Sequence, residues 1–200
     1  LICRVTGPDR SVHLLTYALE DFNGKAETSV NLRITPEAAE TGPEGWAGFA
    51  IAARGEFGDY RDDAVYGKGF HAGINPEGQL FIGDPDDMNL PDQDLREAFM
   101  NEQEITLSLQ LEKTVGGNTN FSLAAFRPGE RNPLQKIEKE LPSFDPRGNI
   151  ALMSSFPGNR NHPERIPSAE FSEWKVSGNG LKHYPGRIWG PVLFTQYTYS

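Results

Sequence analysis

Between Ile105 and Leu111 the chain alternates strictly: Ile105, Leu107, Leu109 and Leu111 are apolar, while Thr106, Ser108 and Gln110 are polar. A period of two places all the apolar side chains on one face of an extended strand. Val30, Leu32 and Ile34 repeat the pattern around Asn31 and Arg33, and Pro36 stops that run. The stretch from Ala47 to Arg54 (AGFAIAAR) is small or apolar on both faces, which predicts a strand with neighbours on either side and cover above and below. Shorter runs at Phe70–Ile74, Gln79–Ile82, Phe121–Phe126, Ile150–Met153 and Phe171–Val176 extend the series. NPEG (Asn75–Gly78) and VGGN (Val115–Asn118) each separate two such runs and read as hairpin turns. Only Asp92–Met100 reads as helix, with Leu95 and Phe99 four apart. About ten strands without a long helix predict an all-β protein, a two-sheet antiparallel β-sandwich of the jelly-roll type. No internal repeat of propeller or solenoid length occurs.

Composition narrows the picture. The 200 residues suit one domain large enough to bury its own core. Hydrophobic residues make up 37%, with 21 Gly and 15 Pro, as expected for short strands joined by turns. Twelve Phe, six Tyr and three Trp argue against disorder. A net charge of -9 without a basic cluster argues against nucleic acid as a partner. There is no apolar run long enough to span a membrane as a helix. The single Cys3 excludes an internal disulfide and any cysteine-based zinc cluster. Because the chain begins at Leu1, it is expected to be a piece of something longer.

The order of these features resembles the concanavalin A-like, laminin-G-like jelly roll. GWAGFAIAAR (Gly45–Arg54) resembles that family's early central strand, and FHAGINPEGQLFIG (Phe70–Gly83) its hairpin. Phe171, Trp174, Val176 and Gly178 resemble its closing strand. On an ideal strand Phe171 and Trp174 have opposite parity, so either a bulge intervenes or they face different sheets. The resemblance implies a structural calcium between an early strand and the closing strand, for which Asp21 and Glu173 are the candidates. Leu181–Ser200 resembles the junction that follows the N-terminal jelly-roll module of bacterial alkaline phosphatase D-type metallophosphatases. It implies a sandwich over residues 1–180, an extended segment over 181–200 and a catalytic domain downstream. The segment is expected to pack on the sandwich through Trp189 and to run on as Val192–Tyr199. A secreted, periplasmic or cell-surface location follows from the same resemblance.

Candidate chemistry is sparse. Retaining glycosidases on this fold set their carboxylates alternately along one strand; Glu170 and Glu173 lack that spacing, and Glu102 and Glu104 lack a third partner. His13, His71, His162 and His183 form no local metal motif. The acidic stretch Gly83–Asp94 has Met88 where a calcium-binding loop needs a ligand. Two expected loops carry the residue types that bind sugars, flat aromatic rings beside amide or guanidinium groups. Gly55–Gly69 supplies Tyr60, Arg61 and Tyr66; Phe156–Arg165 supplies Asn159, Arg160 and His162. The expectation is a non-catalytic accessory module that needs no cofactor. It would bind carbohydrate or another polymer, or pack on a catalytic partner domain. The alternative is a glycoside hydrolase or lyase of the concanavalin A-like fold.

Overall fold

The computed structural model describes residues 2–20, 24–158 and 165–187. Its strands are β1 (Cys3–Thr6), β2 (Arg10–Leu19), β3 (Lys25–Ile34), β4 (Trp46–Arg54), β5 (Lys68–Ile74), β6 (Leu80–Gly83), β7 (Ile105–Lys113), β8 (Thr119–Phe126), β9 (Gln135–Leu141), β10 (Gly148–Ser155), β11 (Ser168–Gly178) and β12 (Leu181–His183). They form two six-stranded sheets, β1-β11-β3-β7-β8-β9 and β12-β2-β10-β4-β5-β6. Neighbouring strands are antiparallel throughout. This is the expected jelly-roll sandwich.

The alternation in the sequence becomes the inner and outer faces of the first sheet. On β3 the side chains of Ala26, Val30, Leu32 and Ile34 enter the core, and Glu27, Ser29, Asn31 and Arg33 face outward. On β7 the residues Ile105, Leu107, Leu109 and Leu111 enter the same core. Phe49 and Ile51 of β4 meet them from the second sheet, in the central position its two apolar faces predict. Phe70, Phe121 and Phe144 bridge the layers with ring centroids 5.0–5.1 Å apart. The NPEG turn closes β5 onto β6: the Asn75 side-chain oxygen accepts from the amides of Glu77 (3.0 Å) and Gln79 (2.9 Å). Gly78 supplies the positive φ of 76° that the turn needs.

A bulge explains the odd parity in β11. Ser172 pairs with Asn31 and Lys175 with Ser29, so three steps on β11 match two on β3. Glu173 takes up the extra residue at φ 52°. As a result Phe171, Trp174 and Val176 all reach the core, and the Trp174 indole donates to Thr28 Oγ1 at 2.9 Å.

Two features depart from expectation. Gly55–Gly69 is not a plain loop, because Tyr60–Tyr66 forms a helix, α2, capped by Asp59 accepting from the amide of Arg61 at 2.8 Å. No residue of α2 is buried, so it lacks the apolar stripe by which a helix is read from sequence. A one-turn helix, α1 (Pro36–Ala39), follows β3 with Pro36 at its first position; the expected helix is α3 (Gln93–Met100), capped by Asp92. Past Gly180, Leu181–His183 pairs with the edge of β2 as β12, and Leu181 packs against the core. The expectations for Trp189 and Val192–Tyr199 fall outside the described residues.

Candidate functional site

The outward side chains of β3, β7 and β8 would make a flat polar surface if nothing rose beside them. The bulged stretch of β11 rises on one side, and Phe126 with the turn Pro128–Glu130 rises on the other. Between these walls lies an open groove of about 480 Å³. Its floor is Ser29 and Asn31 from β3 and Thr106, Ser108 and Gln110 from β7, with Glu27 at one end. Glu173 and Lys175 form the β11 wall. The floor groups are ordered by one another: Thr106 Oγ1 donates to Asn31 Oδ1 at 2.8 Å, and Ser108 Oγ donates to Glu27 Oε1 at 3.3 Å. Such hydroxyls and amides retain unused lone pairs and protons for a ligand.

The groove leads into a second depression of about 350 Å³ lined by Ile2, Arg33, Glu102, Glu104, Glu170 and Ser172. Asn31 Nδ2 donates to Glu104 Oε2 at 3.2 Å and Ser172 Oγ to Glu104 Oε1 at 2.8 Å, which joins the two depressions. From Glu27 to Arg33 along β3 the combined surface runs for about 20 Å, at roughly 3.3 Å per residue. Its far end is closed by a clamp. Glu170 receives both Nε and Nη2 of Arg4 from β1 and of Arg33 from β3, the Nε contacts being 2.8 and 2.9 Å. The two guanidinium groups, Arg33 first and then Arg4, hold the Glu170 carboxyl below its ordinary range. The carboxylate in turn raises Arg33.

The residues expected from the sequence do not line this groove. Tyr60, Arg61 and Tyr66 sit on α2, which packs against β4, β10 and β2 of the second sheet. Asn149 Nδ2 ties Tyr60 O at 3.0 Å. There Arg61 Nε donates to Tyr60 Oη at 3.1 Å. The Arg187 guanidinium lies 3.7 Å from the Tyr184 ring centroid and 5.2 Å from that of Tyr60. Tyr60 and Arg61 are therefore brought together, with Tyr184 and Arg187 as neighbours that the sequence does not announce, while Tyr66 stands 64% exposed. Asn159, Arg160 and His162 lie outside the described residues, as does Asp21. Glu173 belongs to the groove. Of the two residues expected to hold calcium, Glu173 is the one within the described residues; among those residues no three His, Cys, Asp or Glu side chains are grouped to hold a metal.

Among the described residues, Ser11 Oγ lies 3.0 Å from His13 Nε2. Burial pushes the His13 imidazole down to about 4, and its Nδ1 has no partner to orient it. A weak base without an orienting carboxylate does not make the relay that activates a serine. The floor of the groove is hidden in the sequence because Ser29, Asn31, Thr106, Ser108 and Gln110 read there only as the solvent side of two strands. The available signal is that these five outward positions are all small hydroxyls or amides, without a long cation among them.

No family model matches the chain, and no curated protein matches it either. Among solved structures, the endo-β-1,4-glucuronan lyase from the fungus Trichoderma reesei superposes with a TM-score of 0.51 at 12% identity, covering 88% of this chain and 79% of that one. The alginate lyase Aly36B gives 0.43 at 12% identity, covering 91% and 82%. The exoplasmic/lumenal domain of VIP36, solved with Ca2+ and Man bound, gives 0.37 at 11% identity, covering 91% of both chains. The likeness at a TM-score of 0.51 bears on the β-sandwich jelly-roll fold and not on an activity.

Proposed function

We propose that this chain is a carbohydrate-binding module that holds an extended glycan in the groove on the outer face of the first sheet. The carrying observation is the groove itself: a channel open to solvent, floored by hydroxyl and amide side chains from two adjacent strands, with the half-buried Phe126 ring in one wall. A pyranose chain offers hydroxyls for the floor and apolar C–H faces for the ring. The neighbour that shares the fold at a TM-score of 0.51 bears the name of a polysaccharide lyase, which is in keeping with a sugar ligand. The reading is non-catalytic: of the carboxylates in the groove, Glu104 is engaged by Asn31 and Ser172 and Glu170 by the two arginines, while Glu130 and Glu173 stand on opposite walls rather than alternating along one strand.

An exported multidomain parent, with a metallophosphatase following the module, is the context we propose for it. That part is supported only by the resemblance of Leu181–Ser200 to a module junction. The groove reading is tested by affinity electrophoresis through gels carrying single polysaccharides. The wild-type chain is expected to be retarded by one of them, and Asn31→Ala with Gln110→Ala to lose the retardation while still unfolding cooperatively well above the assay temperature. Loss of two hydrogen bonds of about 1 kcal/mol each corresponds to roughly a thirtyfold weaker affinity. Retardation that the double variant leaves intact would move the site elsewhere.

A further inference from the structure

The groove is not electrically neutral. Its lining carries Glu27, Glu130 and Glu173 against the single cation Lys175. The adjoining depression adds Glu102, Glu104 and Glu170 against Arg33. Three of these six carboxylates already have partners: Glu170 has both arginines, Glu104 has Asn31 and Ser172, and Glu27 has Ser108. Glu173 and Glu130, on opposite walls, have no side-chain hydrogen bond or ion pair within the described structure. The bulge holds Glu173 on the groove side at a backbone conformation unfavourable for a residue with a Cβ.

A neutral sugar laid over such carboxylates strips water from them and returns fewer donors, which costs affinity. A sugar carrying its own carboxylates adds like-charge repulsion. A sugar carrying ammonium groups offsets both effects. Resting on the glycan-groove reading above, we infer that the ligand is a cationic glycan, a polymer of unacetylated amino sugars, and that the groove turns polyuronates away. Glu173 and Glu130 are the specificity-determining residues, each placed to meet an ammonium group from one wall. Charge preference therefore separates this groove from the polyanion after which its structural neighbour, a glucuronan lyase, is named.

The experiment is calorimetric titration of the whole chain with three β-1,4-linked oligosaccharides of equal length, built from glucosamine, glucose or glucuronic acid. At low salt the glucosamine oligomer should bind at least about tenfold tighter than the glucose oligomer, with an advantage that shrinks as salt shortens the screening length. The glucuronic acid oligomer should not bind. Glu173→Gln with Glu130→Gln should remove most of the glucosamine advantage over glucose. Glucose or glucuronic acid oligomers that bind as tightly as glucosamine, through Asn31 and Gln110, would overturn the charge assignment while leaving the groove in place. Absence of binding by all three, or binding insensitive to Asn31→Ala with Gln110→Ala, would overturn the groove reading as well.

Discussion

Replacing Glu170 by Gln perturbs a residue of β11 that ties β1 and β3 to it on the groove side. Its carboxylate side chain is 9% exposed and accepts two-pronged contacts from Arg4 and Arg33, whose side chains are 59% and 43% exposed. Gln keeps the shape but turns an amide donor toward one guanidinium and removes the charge that both arginines need. Ion pairs with a solvated partner contribute roughly 0.5–1 kcal/mol each, two-pronged geometry placing these at the upper end. The sum is about 1–2 kcal/mol. For a chain of this length 1 kcal/mol corresponds to roughly 2–4 °C, so the variant should melt about 3–6 °C lower at neutral pH. The pH dependence has a definite sign. The folded carboxyl titrates below its ordinary value of 4.5, so its stabilisation is complete above that value and is lost as the pH falls through the lower folded value. Thermal melts of both proteins from pH 7 down to pH 3 should show a constant gap that closes in the acid range. Equal melting temperatures at pH 7 would refute the clamp. A gap that persists unchanged in acid would show that packing, not charge, is responsible.

Other expectations follow from single residues. Glu173→Gly relieves a positive φ and should raise stability by about 1 kcal/mol, seen as a higher melting temperature, while weakening glycan binding. Phe156→Ala empties a fully buried site and should cost about 3–5 kcal/mol in denaturant unfolding. Trp174→Phe keeps a six-membered aromatic ring but removes the indole N–H ring, leaving Thr28 Oγ1 without its donor and a small void, at a cost of about 1–3 kcal/mol by the same assay. His13 titrates at about 4 when folded against an ordinary 6.5, so it favours the folded state above 6.5 and loses that contribution as the pH falls toward 4. His13→Gln should flatten that part of the stability profile, a difference on the order of 3 kcal/mol at most.

The strands legible in the sequence were those with one clean face. β3 and β7 alternate without interruption, and β4 is apolar on both sides, so all three could be read directly. β9 has only Ile137 between lysines and glutamates, as an edge strand open to water allows, and its polarity hides it. In β2 the pairing with β10 slips between Ala18 and His13, and that irregularity blurs the period of two. β1 and β12 are too short to show a period at all. The bulge was visible as a parity conflict between Phe171 and Trp174, and the structure shows which resolution applies. The site was less legible for a physical reason. Aromatic residues near arginine, such as Tyr60 and Arg61, attract attention in a sequence, whereas a groove floor is made of ordinary outward residues. It exists only because separate strands align in register, Asn31 beside Thr106 and Ser29 beside Ser108. Register across strands is not contained in any local stretch of sequence.

Amide chemical shifts of the isotopically labelled chain, followed during titration with the oligosaccharide that binds best, report whether a glycan lies in the groove of the first sheet. Shifts should cluster at Glu27–Asn31, Thr106–Gln110, Phe126–Glu130 and Glu173–Lys175, with Tyr60, Tyr66, Tyr184 and Arg187 unmoved. Shifts confined to Tyr60, Tyr184 and Arg187, with the groove amides silent, would contradict it and place the ligand on the opposite sheet.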